Sequence, residues 1–203
     1  MKIYLVRHGE TDWNLEERMQ GQADNPLNAT GRQQAQTVAD ALRGIHFDAA
    51  FSSTLIRAVT TAQIILGDRS GILRQDPRIR EIGFGSWEGE KIARVMEEDH
   101  PLHFFFTKPD RYFPPEGAES FYRLYTRSEE FMNDVLFPME KNPEKRYENV
   151  LIVGHGAWNR SILNPVKNIP LAQFWSNPLE NCAVEILELT DGNIFPEGAN
   201  RKQ

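Results

Sequence analysis

The segment Val150-Leu-Ile-Val153 is the feature that most limits the fold of this chain. Its four consecutive apolar residues put apolar side chains on both faces of an extended segment, as in a central strand covered by helices on both sides. Strands are also predicted at residues 3–6 and 47–51, and each is followed by apolar residues at helical spacing. This alternation predicts an α/β protein: a three-layer α/β/α sandwich with a mainly parallel central sheet and helices on both faces.

Capping and breaking residues predict where the helices begin and end. Thr30-Gly-Arg-Gln33 has the spacing of a capping box, and Ser52-Ser-Thr54 supplies cap candidates for the helix after the second strand. A long helix over Phe121–Val135 is expected to end before Pro138. The helix after the third strand is expected to end at Asn164-Pro165.

Length and composition limit the domain count, the location and the partners. The 203 residues fit one domain over 1–203. The only cysteine, Cys182, excludes an intrachain disulfide framework, and the initial apolar run is too short for a signal peptide, so we expect a cytoplasmic protein.

No apolar stretch has transmembrane length, and a net charge of −6 argues against a general nucleic-acid surface. We expect neither a membrane nor a nucleic-acid partner, while the oligomeric state is left open, with a homodimer as one option.

Residues 88–116 interrupt the pattern of strands and helices. They begin with charged residues, continue through Phe104-Phe-Phe106 and end in a segment punctuated by prolines. We interpret them as a small insertion that covers the edge of the sheet as a lid. Packing on the main domain is the favoured interpretation of their aromatic residues, since aromatic clusters usually belong to a core.

Basic side chains follow each of the three predicted strands. Arg7 and His8 follow the first, Arg57 follows the second and His155 follows the third. Ligands of open α/β sheets bind beyond the carboxyl ends of strands, so we expect these side chains to converge. Arg57 lies in the first turn of its helix, where the helix dipole disfavours a cation unless an anion is bound. A solvated arginine is the alternative interpretation.

The segment Arg7-His8-Gly9 has the chemistry of phosphoryl transfer. Arginine presents a planar fork that matches phosphate oxygens, and glycine permits close approach of the backbone and an anion. A neutral imidazole can attack phosphorus through one ring nitrogen if a backbone carbonyl holds the proton on the other. The leaving oxygen then needs a proton. Glu81 and Glu88, in a glycine-rich turn, are both candidates for its source, and their residue types alone do not separate them.

The histidines lack the spacing of a metal site. His8 and His155 have no helical partner of the His-Glu-x-x-His type, and no cluster of acidic residues accompanies them. His46, His100 and His103 are expected at the surface. The sequence therefore predicts no metal.

Several segments, taken together and in order, resemble the histidine phosphatase superfamily, whose fold is called phosphoglycerate mutase-like. The matching segments are Arg7-His-Gly-Glu-Thr-Asp-Trp-Asn14, Gln20-Gly-Gln22 with Pro26-Leu27, Thr30-Gly-Arg-Gln-Gln-Ala35, Ser52-Ser-Thr-Leu-Ile-Arg-Ala58 with Thr61-Ala62, Arg80-Glu-Ile-Gly-Phe-Gly-Ser-Trp-Glu-Gly89 and Val153-Gly-His-Gly156. The resemblance spans roughly positions 3 to 160. It implies a small phosphorylated metabolite as substrate and no metal or organic cofactor.

The resemblance also implies a role for each candidate residue. His8 corresponds to the nucleophile that becomes phosphohistidine, and Glu81 rather than Glu88 to the acid/base. The residues implied to form the phosphate pocket are Arg7, Arg57 and His155. Those implied to line the phosphate or the leaving group are Asn14, Gln20, Gly21 and the backbone of Gly156.

The superfamily includes phosphatases and phosphoglycerate mutases. Mutases typically have a longer insertion with adjacent arginines, and tend to have threonine where this chain has Gln20. The basic residues of the insertion here are dispersed: Lys91, Arg94, Lys108 and Arg111. The predicted function is metal-independent hydrolysis of a phosphomonoester through phosphohistidine. A cofactor-dependent phosphoglycerate mutase is the alternative, and a non-catalytic module that binds a phosphorylated ligand is a third hypothesis.

Overall fold

A computed structural model describes residues 1–199 of the chain. Its strands are β1 (Lys2–Arg7), β2 (Ala49–Ser52), β3 (Leu73–Gln75), β4 (Asn149–Gly154), β5 (Val184–Thr190) and β6 (Asn193–Pro196). They form one sheet in the order β3-β2-β4-β1-β5-β6. The first four neighbours in this order pair in parallel, whereas β5 is antiparallel to both β1 and β6. Only β5 therefore runs against the other described strands, and the mainly parallel sheet is confirmed.

The strand that is apolar on both faces lies inside the sheet, as predicted. In β4, the segment Val150–Val153 pairs with Ile3–Val6 of β1 on one side and with Ala49–Ser52 of β2 on the other. All four of its residues are fully buried. The carboxyl ends of β1, β2 and β4 consequently lie side by side at one edge of the sheet.

Helices cover both faces of the sheet, which confirms the three-layer prediction. The α-helices are α1 (Asp12–Leu15), α2 (Ala29–Ala41), α3 (Ile56–Leu66), α4 (Ile92–Val95), α5 (His103–Thr107), α6 (Phe121–Phe131), α7 (Phe137–Glu140) and α8 (Gly156–Val166). Helices α2 and α3 pack on one face, against Tyr4, Val6 and Leu151. Helices α6 and α8 pack on the other, against Leu5 and Ile152. Over residues 1–199, no helix has the length and apolarity needed to cross a membrane.

The predicted N-terminal caps of α2 and α3 are wrong. The residue that caps α2 is Asn28, whose side chain accepts a hydrogen bond from the Gly31 N–H at 2.8 Å, so Thr30 lies inside the first turn. The residue before α3 is Leu55, which provides no side-chain cap. The Ser53 hydroxyl instead accepts a hydrogen bond from the Leu55 N–H at 3.2 Å.

Both helices that were expected to end at a proline continue past it. A π-helical turn, Met132–Leu136, joins α6 to α7, and Pro138 lies at the start of α7. A rearranged hydrogen-bond ladder of this kind lets a helical segment accommodate a residue without an N–H. Pro165 lies inside the last turn of α8, which ends at Val166.

Residues 88–116 contribute to the core as well as to the surface. Phe105 is buried, and its ring contacts those of Phe84, Phe121 and Trp175. The packing interpretation is therefore confirmed for Phe105. It is wrong for Phe113, which is 87% exposed.

Candidate active site

The parallel register of β1 and β4 brings two histidines together. The N–H of His8, just after β1, donates a hydrogen bond to the carbonyl of Gly154 at the end of β4, at 3.0 Å. The rings of His8 and His155 lie 5.1 Å apart between centroids, and both side chains are buried. Because β2 pairs with the other side of β4, the helix that follows β2 brings Arg57 to the same edge. The expected convergence is observed.

A cavity of about 270 Å³ opens at this edge of the sheet. The predicted site residues that line it are Arg7, His8, Asn14, Gln20, Gly21, Arg57, Glu81 and Gly156. His155 is not part of the lining; it lies in the interior, where its ring contacts the ring of His8.

The hydrogen bonding of His8 determines which ring nitrogen carries the proton. Its Nδ1 lies 2.7 Å from the carbonyl oxygen of Gly9, which can only accept, so Nδ1 holds the hydrogen. The lone pair is then on Nε2. Burial lowers the pKa of His8 well below its usual value, and the charges of Arg57 and Arg7 lower it further. The ring is therefore neutral at physiological pH, as nucleophilic attack requires.

Arg57 is fully buried in the first turn of α3, so the alternative of a solvated arginine is wrong. Its Nη1 donates to the carbonyl of Ala23 and its Nη2 to the carbonyl of Gly21, each at 2.7 Å. Its Nε has no partner among residues 1–199. Burial lowers the pKa of Arg57 to about 10, partly opposed by the negative charge of Glu81. At neutral pH this side chain remains a cation.

Buried nitrogen atoms without acceptors surround the two histidines. Arg7 donates through Nη1 to the carbonyl of Leu179 at 2.7 Å, which leaves its Nε buried and unpaired. Both ring nitrogens of His155 are also buried and unpaired within the described part of the chain, like the Nε of Arg57. Burial, and then the charge of Arg57, lower the pKa of His155 well below its usual value. Buried polar groups normally have partners, so this set indicates a binding site for an anion.

The structure places the two candidate acids differently. The carboxylate of Glu81 lines the cavity and accepts hydrogen bonds from the N–H groups of Ala157 (3.0 Å) and Trp158 (3.1 Å) in the first turn of α8. The carboxylate of Glu88 instead accepts hydrogen bonds from the N–H groups of Gln22 and Phe84, at 2.8 and 3.1 Å, and is not part of the lining. Of the two, only Glu81 lines the cavity.

Gly156 leaves open the space where three functional groups meet. A Cβ atom at this position would lie 3.4 Å from Oε2 of Glu81, 3.6 Å from Nη1 of Arg160 and 3.9 Å from Nε of Arg7. A side chain here would therefore occupy the volume into which these groups point.

Gly9 permits a close approach of backbone, as expected. A Cβ atom there would collide with the backbone carbonyl of Gly31 in the first turn of α2. The loop after β1 therefore packs closely against α2 at this glycine.

Thr11 connects two of the polar lining residues. Its hydroxyl donates to Oε1 of Gln20 at 2.9 Å, and its N–H donates to Oδ1 of Asn14 at 3.1 Å. The amide of Asn181 donates to the carbonyl of His8 at 3.0 Å and so holds the loop after β1. Neither Thr11 nor Asn181 was predicted in these roles.

Arg160 is a further lining residue that the sequence interpretation missed. It is buried, its Nη1 donates to the carbonyl of Gly156 at 3.0 Å, and its Nη2 donates to the carbonyl of Asn177 at 2.8 Å. Its guanidinium also lies 5.2 Å from the ring centroid of Trp175. Burial lowers the pKa of Arg160 to about 10. The spacing of four residues from Gly156, one helical turn, is the signal that would have found it.

The remaining histidines lie outside the cavity. The surface position expected for His100 is wrong, since this side chain is buried. Its ring contacts the ring of Trp87, and its Nε2 lies 3.2 Å from a carboxylate oxygen of Glu90. His46 is exposed, as expected. Within residues 1–199, no three His, Cys, Asp or Glu side chains are grouped so that they could hold a metal ion.

Comparisons with known proteins agree with this geometry. The family model for the histidine phosphatase superfamily (branch 1) matches residues 3–201. The "Probable phosphoglycerate mutase GpmB" of Proteus mirabilis (strain HI4320) is 34% identical over 98% of this chain and 89% of its own length. The "Adenosylcobalamin/alpha-ribazole phosphatase" of Escherichia coli (strain K12) is 30% identical over 86% of this chain and 83% of its own. Among solved structures, Bacillus stearothermophilus YhfR has a TM-score of 0.86 at 35% identity, covering 97% of this chain and 95% of that one.

Proposed function

Since the chain belongs to the histidine phosphatase superfamily (branch 1), we propose that it hydrolyses the phosphomonoester of a small phosphorylated metabolite without a metal, through phosphohistidine at His8. One observation carries the proposal. The hydrogen bond between Nδ1 of His8 and the Gly9 carbonyl leaves a lone pair on Nε2, and His8 lines the same cavity as Arg7 and Arg57, whose Nε atoms are unpaired within residues 1–199. A nucleophile and unsatisfied cationic donors thus share one cavity.

The first step is binding of the phosphate. Arg7 and Arg57 donate to its oxygens and supply positive charge, and His155 donates from the interior side. The space beside Gly156 admits the group to within reach of His8. Because these donors are buried and held by other contacts, they need little rearrangement when charge develops in the transition state.

Hydrolysis then proceeds through two successive displacements at phosphorus. In the first, Nε2 of His8 forms a bond to phosphorus, the bond from phosphorus to the leaving oxygen breaks, and Glu81 gives that oxygen a proton. In the second, Glu81 takes a proton from water as the water oxygen bonds to phosphorus, the P–N bond breaks and inorganic phosphate leaves. Positioning and charge stabilisation supply most of the rate in such reactions.

Features of residues 88–116 favour hydrolysis over a mutase reaction. A mutase must hold a second anionic group, yet Lys91 donates to the carbonyl of Glu16 and Arg94 pairs with Asp99, both outside the cavity. The lining also contains four aromatic residues, Phe84, Phe105, Phe106 and Trp175, which suit an apolar or ring-bearing part of a substrate. The likeness to a protein named as a phosphoglycerate mutase keeps that activity as the second candidate.

Hydrolysis of an aryl phosphate in the presence of EDTA tests the proposal, with wild type compared to His8→Ala. We expect turnover by the wild type only; equal rates in the two proteins would contradict the role of His8. Incubation with 3-phosphoglycerate and a priming bisphosphate separates the two candidates, because only a mutase forms 2-phosphoglycerate. Binding of phosphate without any turnover would favour the non-catalytic module.

We also propose a cytoplasmic location. It is supported by Cys182, a buried free thiol for which the chain has no second cysteine that could form a disulfide with it. The homodimer stays a prediction, and sedimentation at several protein concentrations tests it.

A further inference from the structure

A second cavity, of about 620 Å³, lies next to the turn that carries Glu81. Residues 81, 82 and 84 line the candidate active site, whereas residues 80, 83 and 85 line this second cavity. The turn therefore separates the two spaces, which have no lining residue in common.

The carboxylates of the second cavity differ in their partners. Glu119 forms two hydrogen bonds with Arg127, from Nε at 2.7 Å and from Nη2 at 3.0 Å, and is neutralised by it. Oε1 of Glu88 accepts hydrogen bonds from the backbone N–H groups of Gln22 and Phe84, and this carboxylate keeps its charge. The three arginines and two glutamates of the lining therefore leave one net positive charge in the cavity.

Two further arginines of the lining have no acceptor. No side-chain hydrogen bond or ion pair is formed by Arg80 within residues 1–199, and its Nε is completely buried. Arg123, in the first turn of α6, donates through its backbone N–H to Ser120, but its guanidinium is likewise unpaired in the described structure. The buried Nε of Arg80 is costly without a partner, and an anion in the cavity would supply one, while the exposed guanidinium of Arg123 adds a second positive charge at the same cavity.

We propose that this second cavity binds the phosphate or carboxylate group of a small metabolite, with Arg80 and Arg123 as its ligands. Glycines at 83, 85 and 117 leave the cavity without side chains along part of its wall. Its volume exceeds that of a single phosphate, so the rest of the metabolite fits beside the anionic group. The occupant lies against the segment that positions the acid/base, because Arg80 precedes Glu81 and Gln22 donates to the Glu81 carbonyl at 3.1 Å.

Titration of the ¹⁵N-labelled protein tests the site by NMR, with inorganic phosphate and citrate as separate probes. Amide resonances of Gly83, Gly85 and Gly117 report on the second cavity, and that of Gly156 reports on the active site. The variants are Arg80→Gln, Arg123→Gln and both together. Arg43→Gln removes an exposed arginine that lies just after the end of α2 and lines neither cavity, and so serves as the matched control.

We expect at least one probe to shift the three glycine resonances in wild type and in Arg43→Gln. In the double variant the apparent Kd should weaken about tenfold or more, because charge-assisted hydrogen bonds are lost, while the phosphate-induced shift of Gly156 is retained. The probe that binds identifies the anionic group. Absence of shifts with both probes, or equal titrations in wild type and double variant, would overturn the proposal. The exposed Arg123→Gln variant alone keeps the test decisive if Arg80→Gln disturbs the fold.

Discussion

The rings of His8 and His155 lie 5.1 Å apart, both buried, at the ends of the neighbouring parallel strands β1 and β4. Burial and the charge of Arg57 lower the pKa of both rings, so neither takes up a proton near neutral pH in the folded protein. In the unfolded chain they titrate near the ordinary value of about 6.5. The two histidines are therefore expected to make the stability of the folded protein depend on pH, in addition to their proposed roles in catalysis.

Stability is predicted to fall as the pH drops below about 6.5, because the unfolded state then binds protons that the two buried rings do not. Above about pH 6.5 the two histidines do not make the free energy of unfolding depend on pH. In His155→Gln one of the two rings is removed, so its free energy of unfolding should decrease less between about pH 7 and pH 5 than that of the wild type. Urea unfolding at each pH measures this. An equal decrease in both proteins would show that His155 does not resist protonation.

Replacement of Glu81 by Gln should lower kcat by about 10²–10⁴-fold, the usual contribution of general acid–base catalysis. The fold should survive, since a glutamine oxygen can still accept from the N–H groups of Ala157 and Trp158. The loss should be greater for an alkyl phosphate than for a nitrophenyl phosphate, whose leaving group needs no proton. Glu88→Gln, outside the cavity, is the matched control; similar losses in both variants would remove Glu81 from its proposed role.

The substitution Gly156→Ala should weaken binding of phosphate without unfolding the protein. The added methyl lies at ordinary contact distance from Glu81, at 3.4 Å, but it fills the space between Glu81 and Arg7. The competitive inhibition constant for phosphate is expected to rise while Tm changes little. Gly44→Ala is the control, because a Cβ there meets nothing within 4 Å. Unchanged inhibition in Gly156→Ala would place the phosphate elsewhere.

A tetrahedral oxyanion should stabilise the folded protein by satisfying the unpaired Nε atoms of Arg7 and Arg57. Orthovanadate at a hundredfold excess over its Kd is expected to add about 2.7 kcal/mol to the free energy of unfolding. Thermal unfolding with and without vanadate measures the rise in Tm, most of which should disappear in Arg57→Met. A rise of the same size in that variant would mean that Arg57 is not part of the anion site.

The arrangement of the sheet and most of the site were predictable from local sequence. A strand that is apolar on both faces implies a covered parallel sheet, and parallel strands present their carboxyl ends together. That topology was enough to bring His8, Arg57 and His155 to one edge. Glu81 could be distinguished from Glu88 only through the family resemblance, because the distinction depends on contacts with α8 and with Gln22.

What the sequence could not provide depends on tertiary contacts. The N-cap of α2 is Asn28, whereas the capping-box spacing that begins at Thr30 predicted that the helix starts two residues later. The local sequence of His100 predicts a surface position, because its contact with Glu90 forms only in the folded structure. For Arg160 the spacing of four residues from Gly156 was the only local signal, and its contacts with Asn177 and Trp175, which hold it at the cavity, depend on the tertiary structure.

The most direct test of phosphoryl transfer to His8 is to trap the phosphohistidine intermediate. Enzyme mixed with a saturating nitrophenyl phosphate is quenched in alkali within the first turnovers, because phosphohistidine survives alkali better than acid, and the peptides are mapped by mass spectrometry. Phosphate is expected on the peptide that contains His8, and it should be absent without substrate and absent in His8→Ala. Nitrophenol release with no phosphate on that peptide, or with phosphate on His155 instead, would contradict transfer to His8.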